Sequence, residues 1–281
     1  MIAYPLRVDG TMTRVFECGI GPALVLIHGL GSRADRWRRN IEGLAASGRR
    51  IFAVDLPGHG FARKDPEYDY SVNGYAAFIQ SFLNTNGIER AALVGASLGG
   101  QIAAAFAVRE RNRLKPWCWS GAPVLRHSGL KGRAQASRML VDMSREAIRG
   151  RLRRGLRNEA LITNELIEED FRINNSAGAA EAFQALGRYF AARIDDDLVR
   201  EQLIAQRSHP PILLVWGIED LSIPMSVGEA AHAKLAGARM AAIAGTAHNP
   251  YMDKPEVFNR VLLDFLAGRL GTFTADDVSY R

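Results

Sequence analysis

The sequence predicts an α/β fold, in which a mostly parallel, doubly wound sheet of eight strands carries an inserted helical cap. Three observations lead there. Ala23-Leu24-Val25-Leu26-Ile27, Ile51-Phe52-Ala53-Val54, Ala91-Ala92-Leu93-Val94 and Ile212-Leu213-Leu214-Val215-Trp216 are unbroken apolar runs, the pattern of strands buried on both faces of a parallel sheet. Segments with apolar residues at helical spacing alternate with them, at 34–46, 71–86, 98–109, 226–236 and 254–268, so the crossovers should be right-handed. From about 123 to 206 that alternation stops and no strand is evident.

The remaining elements follow from weaker signals. Segments 3–8 and 12–17 read as an antiparallel pair turning at Asp9-Gly10, a hairpin signal. Segments 115–119 and 238–243 are further strand candidates. Within the interruption, 136–143 and 182–190 are amphipathic at helical spacing. Residues 1–122 and 207–281 are therefore expected to form the core, and 123–206 a helical cap over the sheet. The tail, 271–281, is polar and expected to be mobile at its end.

With 281 residues, 47% apolar and 23% charged, the chain has the composition of a globular protein able to bury an extensive core. Its two cysteines, Cys18 and Cys118, are too few for a disulfide framework and are expected to be reduced and buried. No Cys/His spacing suggests zinc, and neither a metal nor a cofactor is implied. The N-terminal residues lack a basic stretch followed by an apolar one, and no apolar run approaches a membrane span, so a cytoplasmic location is expected. The formal charge of +6 is uneven: 126–157 hold ten Lys/Arg against two acids, and 158–205 hold ten acids against four arginines. Without interleaved aromatics this reads as solvated or mutually neutralising faces. The expected partner is a small-molecule substrate rather than nucleic acid or membrane, and a homo-oligomer is compatible with the sequence.

Gly95-Ala96-Ser97-Leu98-Gly99-Gly100 follows one predicted strand and opens a predicted helix. This is G-x-S-x-G in the context its chemistry needs, a sharp turn that projects the serine from the sheet edge. Side chains two residues to either side would collide with neighbouring backbone, hence the glycines. The helix N-terminus supplies free amides beside the serine, with Leu98 N–H a natural oxyanion donor. A serine hydroxyl is a weak nucleophile without a base, and that base needs an orienting acid.

Both are available downstream in the order Ser, acid, His. Glu219 and Asp220 are adjacent candidates just past the strand 212–216, where α/β sheets place their sites. His248, in Gly245-Thr246-Ala247-His248, lies on a loop between strand 238–243 and helix 254–268. His232 falls inside a helix, His209 precedes Pro210-Pro211, and His127 lies in the insertion. His28-Gly29-Leu30-Gly31 follows strand 23–27, and Leu30 N–H is the second oxyanion donor it could offer. His28 and, in Asp55-Leu56-Pro57-Gly58-His59-Gly60, His59 read as loop-shaping residues. The apolar insertion residues Leu140, Met143, Phe183 and Tyr189 could line a pocket, although helical spacing suits plain core equally.

Together these motifs resemble the α/β-hydrolase superfamily, over residues ~20–120 and ~210–268. Its spacing favours Asp220 over Glu219 as the acid. Gly21-Pro22, Trp37 after the His-Gly loop and Leu161–Leu166 further resemble the carboxylesterase and meta-cleavage-product hydrolase group. That resemblance implies a cap over the active site, adds Trp37 to the substrate-binding candidates, and would let Arg188 meet a substrate carboxylate. The carbon–carbon hydrolases of the group usually carry Asn or a similar polar residue before the serine and Trp after the base; here those positions are Ala96 and Asn249. A carboxylic ester of small to medium size is therefore the expected substrate, cleaved through an acyl-enzyme. C–C bond cleavage is the first alternative, a perhydrolase side activity is a further one, and a receptor of this fold with negligible turnover is the alternative from another class. Haloalkane dehalogenases and epoxide hydrolases of the superfamily use an aspartate nucleophile, which Ser97 opposes.

Overall fold

The computed structural model describes residues 1–206 and 209–281. The chain opens with the hairpin β1 (Ile2–Val8) and β2 (Thr11–Cys18). Asp9 and Gly10 turn it with φ of 45° and 79°, the left-handed pair that a two-residue hairpin requires. There follow β3 (Ala23–Ile27), a 3₁₀ turn at Ala34–Trp37 that runs into α1 (Arg38–Ala45), β4 (Arg50–Val54), α2 (Val72–Thr85), β5 (Ala91–Ala96), α3 (Leu98–Arg109) and β6 (Trp117–Ser120). Then come five helices without a strand: α4 (Gly129–Val141), α5 (Arg145–Gly155), α6 (Asn164–Asn174), α7 (Ala179–Ala192) and α8 (Arg200–Ala205). The sheet resumes with β7 (Ile212–Gly217), α9 (Met225–His232), β8 (Arg239–Ile243), α10 (Pro250–Asp253), α11 (Pro255–Leu266) and β9 (Val278–Tyr280). The expected return of the chain to the core at 207 lies outside the described residues.

The strands form one sheet in the order β1-β2-β4-β3-β5-β6-β7-β8-β9. The six from β4 to β8 run parallel, with β1, β2 and β9 antiparallel at the edges. Alternation along each strand divides the core in two. Leu24, Leu26, Ile51 and Ala53 pack with Trp37 of the 3₁₀ turn and with Ile41, Phe258 and Leu262 from α1 and α11. Val25, Ile27, Phe52 and Val54 pack with Phe78, Phe82, Ile102 and Phe106 from α2 and α3. The strand order reverses at β3, whose neighbours β4 and β5 leave it in opposite directions. A crevice at the carboxyl ends of the strands is expected at such a point.

Among the described residues the sheet has nine strands rather than the expected eight, because the tail adds an edge strand, β9. Val278 and Tyr280 alternate inward onto the α1–α11 core, and 278–280 pair antiparallel with 241–243. Met240 and Arg281 exchange both backbone hydrogen bonds at 2.9 Å. The open edge of β8 needed a partner for its amides, and a polar composition concealed a Val-Ser-Tyr alternation able to supply one.

The helical insertion is fixed to the core by charge as well as by packing. The Asp170 carboxylate of α6 is buried between the guanidiniums of Arg33 and Arg36. Asp35 pairs with Arg14, Arg33 (3.0 Å) and Arg38 (2.7 Å). Burial alone would raise the Asp35 carboxyl; the hydrogen bond and charge of Arg14, with Arg33 and Arg38, outweigh it and hold the carboxyl below its ordinary value. Asp55 completes the network through Arg14 at 3.0 Å and accepts from the amides of Ala34 (2.8 Å) and Phe61 (2.9 Å). Asp170→Ala would strand buried guanidinium charge at this junction, and breaking such a pair costs about 3 kcal/mol or more. Denaturant unfolding should show a lowered midpoint; a midpoint unchanged within error would mean that the network is not holding the insertion.

Candidate active site

Ser97 stands between β5 and α3 with φ 52° and ψ −114°. A non-glycine residue in that region is strained and persists only where its surroundings hold it. They do so by close backbone approach. A Cβ on Gly95 would overlap the carbonyl of Gly99, and one on Gly99 would overlap that of Ile27. The Ser97 amide is engaged at 2.9 Å by the carbonyl of Ser120, at the end of β6. Leu98 follows as the first residue of α3, and the amides of Gly100 and Gln101 close the first turn on Ser97 O at 2.9 and 3.4 Å.

The loop after β3 lies against this turn. A Cβ on Gly29 would be 3.2 Å from Ser97 Cβ, which brings the neighbouring Leu30 to the same rim. His28 shapes the loop: its Nδ1 donates to Gly29 O at 2.8 Å and its Nε2 accepts from Leu56 N at 3.0 Å. Burial pushes His28 down to about 4, so it is neutral and serves as a brace. His59, 5.2 Å from it between ring centres, is likewise pushed down by burial, to about 3.

The loop after β7 carries both acids, and they do different things. Asp220 Oδ1 accepts from the amides of Ser222 (2.8 Å) and Ile223 (2.9 Å), while Oδ2 accepts from His248 Nδ1 at 2.7 Å. Glu219 faces the backbone of the histidine loop, accepting from Gly245 N and Thr246 N at 3.1 Å each. The imidazole is closed in from one side by Gly121, where a Cβ would stand 2.9 Å from Nδ1. Gly121 adjoins Ser120, the partner of the Ser97 amide, so the serine and histidine loops are tied to one two-residue stretch. An imidazole whose Nδ1 is held by a carboxylate presents Nε2 as the proton acceptor.

The substrate-binding candidates separate. Trp37 is fully buried and stacked on Tyr251 with ring centres 3.9 Å apart, on the α1–α11 face of the sheet. The 3₁₀ turn at 34–37 drives the indole into that face, so Trp37 is a core residue and not a pocket wall. Arg188 is exposed on α7, off the stripe of Phe183, Leu186 and Phe190 that the helix buries. Leu140, Met143 and Phe183 are buried in the α2–α3 core, with Leu140 Cδ2 3.9 Å from where a Gly31 Cβ would be. The Tyr189 hydroxyl donates to Asp197 at 2.6 Å and accepts from Val72 N at 3.0 Å, bracing α7 on α2.

Two residues beyond the histidine escaped the sequence reading. Asp253 accepts from Ala247 N at 2.9 Å and from Arg157 N and Asn158 N at 3.0 Å. Asn249 donates to Gly155 O from its backbone amide (3.0 Å) and from Nδ2 (3.1 Å). Among the described residues, no group of three or more His, Cys, Asp or Glu converges as metal ligands do, and no helix is long and apolar enough to cross a membrane.

Comparison with known proteins agrees with this geometry. The family model of the alpha/beta hydrolase fold matches residues 22–116. A 2-hydroxy-6-oxononadienedioate/2-hydroxy-6-oxononatrienedioate hydrolase of Paraburkholderia phymatum is 31% identical over 277 residues, covering 92% of each chain. An uncharacterized hydrolase of Bacillus subtilis is 28% identical over 255 residues, 86% of this chain and 89% of that one. In fold, the chain is similar to a meta-cleavage product hydrolase from Pseudomonas fluorescens, with a TM-score of 0.82 at 24% identity over 94% of this chain and 97% of that one. From its nine-tenths alignment at 31% identity, its sheet and its serine turn, the chain belongs to the α/β-hydrolase fold family.

Proposed function

We propose that this hydrolase is a serine esterase that cleaves small to medium carboxylic esters through an acyl-enzyme. The observation that carries the reading is the 2.7 Å contact between Asp220 and His248 Nδ1, on a loop tied to the strained turn of Ser97. In the first step His248 Nε2 takes the proton of Ser97 as Oγ attacks the ester carbon. The Leu98 and Leu30 amides receive the charge that develops on the carbonyl oxygen; one such donor typically contributes about 10²–10³ in rate. Imidazolium returns the proton to the leaving alcohol and the acyl-enzyme remains. Water, deprotonated by the same imidazole, resolves it and regenerates the Ser97 hydroxyl. Asp220 keeps the ring in the productive tautomer and offsets its transient charge. Leu140, Met143, Phe183 and Tyr189 are proposed to shape the acyl pocket beneath the cap, at 123–206.

Cleavage of a C–C bond in a vinylogous diketone acid is the second reading, favoured by the 31%-identical relative whose name describes a dienedioate hydrolase. Against it stand Ala96 before the serine and Asn249 after the histidine, the latter turned onto Gly155. Kinetics on p-nitrophenyl esters of increasing chain length, beside a ring-fission dienoate, separate the readings. Higher kcat/KM on an ester is expected; a large preference for the dienoate would reverse the ranking, and turnover of neither would point to a receptor.

A fluorophosphonate should label the wild type and leave Ser97→Ala unlabelled. Labelling that survives the substitution would remove Ser97 as the nucleophile. The neighbouring acids give a sharper contrast. Asp220→Asn should lower kcat by about 10³–10⁴, since it presents the wrong donor to the imidazole. Glu219→Gln, which keeps an acceptor for one of the two loop amides and leaves the Asp220–His248 contact in place, should lower it less than about tenfold. Equal losses in the two variants would contradict the assignment of the acid.

A further inference from the structure

Asp253 receives three backbone amides from two segments far apart in sequence: Ala247, beside His248, and Arg157 and Asn158 of the helical insertion. Both carboxylate oxygens are used, since Arg157 N lies 3.0 Å from Oδ1 and 3.1 Å from Oδ2. The side chain is buried, at 8% exposure. An ionised carboxylate accepting several amide hydrogens out of water is a strong and directional tie. Asn249, on the other side of His248, reaches the same stretch of the insertion. Its amide and Nδ2 both donate to Gly155 O, and its Oδ1 accepts from Tyr251 at 3.2 Å. The base is thus flanked by Asn249, bonded directly to Gly155, and by Ala247, which reaches 157 and 158 through the Asp253 carboxylate. Glu219 holds the preceding residues 245 and 246 to the core and Asn249 O caps α10 through Met252 N (2.9 Å) and Asp253 N (3.1 Å), while Asn249 Nδ2 and the Asp253 carboxylate carry the loop on to the insertion.

We infer that Asp253 is a positioning residue that makes the insertion part of the base: through Asp253 and Asn249, residues 155–158 set the position of His248, and proton transfer from Ser97 proceeds only while the insertion is docked. The inference rests on the serine-hydrolase reading above. It assigns the insertion a role in catalysis, distinct from covering the substrate. A shift of the imidazole by about 1 Å is enough to slow a positioned step by about 10²-fold, and the tie to 155–158 is the contact that prevents such a shift. Loss of the tie acts on acylation and leaves ester binding largely untouched.

The test is the acylation rate and the KM-against-kcat split for Asp253→Asn, Asn249→Ala and, as a control, Glu168→Gln on the full chain. Asparagine cannot accept all the amides and turns an N–H donor toward them. Asp253→Asn should lower the fluorophosphonate labelling rate and kcat by about 10- to 100-fold with KM within about threefold. Asn249→Ala, which removes the side-chain hydrogen bonds to Gly155 and from Tyr251 and keeps the backbone one, should move kcat in the same direction by about fivefold. Glu168 bonds Arg145 and Arg172 within the insertion at 2.7 Å each and does not touch the histidine loop; Glu168→Gln should stay within about twofold. Should Asp253→Asn fail to fold, Asn249→Ala against Glu168→Gln decides. Unchanged kcat in Asp253→Asn or Asn249→Ala, a loss confined to KM, or an equal loss in Glu168→Gln would each overturn the inference. Absence of labelling in the wild type would instead overturn the serine-hydrolase reading itself.

Discussion

A non-glycine residue at φ 52° is the constraint around which this molecule is built. The conformation costs of order 1–3 kcal/mol and is retained only if the neighbouring backbone leaves no alternative. Here α3 packs so closely on β5 and on the end of β3 that residues 95 and 99 can carry no side chain, and Ser120 holds the amide of Ser97. The position of that turn follows from the strand order, which reverses at β3, beside β5, the point at which sheets of this kind place their sites. The remaining loops of the rim are organised with respect to it.

Carboxylates do most of that organising, and one of them touches the imidazole. Asp55 gathers Ala34, Phe61 and Arg14; Glu219 gathers residues 245 and 246; Asp253 gathers 247, 157 and 158. Each accepts amides that a loop cannot satisfy within itself, the recurrent cost of irregular backbone near a core. Asp170 extends the pattern outward, binding α6 to the arginines that follow the β3 loop. Besides its packing on α2 and α3, the insertion is bonded to the loop after β3 and, through Asp253 and Asn249, to the histidine loop, which couples its attachment to the geometry of the site.

The parallel strands were legible because burial on both faces leaves only apolar side chains; β3 and β5 begin where the runs begin, and β7 runs one residue beyond its run, to Gly217. The serine turn was legible because its steric demand is local and selects glycine at fixed offsets. β9 was not, because three residues pairing on an edge leave no periodic trace in a polar tail. The choice between Glu219 and Asp220 is a question of which carboxylate faces which loop, and adjacent residues of equal charge carry no local signal of that. Trp37 and Arg188 show the limit for recognition residues: position after a motif or on an amphipathic helix does not determine which face a side chain takes. The role of Asp253 depends on joining Ala247 to a segment about 95 residues away, and nothing in its own neighbourhood announces that segment.

The central claim is that Ser97, His248 and Asp220 form one proton-relaying unit with Ser97 as the acyl carrier. Acid-quenched turnover of a p-nitrophenyl ester, followed by peptide mapping by mass spectrometry, tests it most directly. The account predicts one acyl group per chain, on the peptide containing Ser97. An acyl group on a different side chain, or ester turnover at the wild-type rate in a chain lacking the Ser97 hydroxyl, would contradict it.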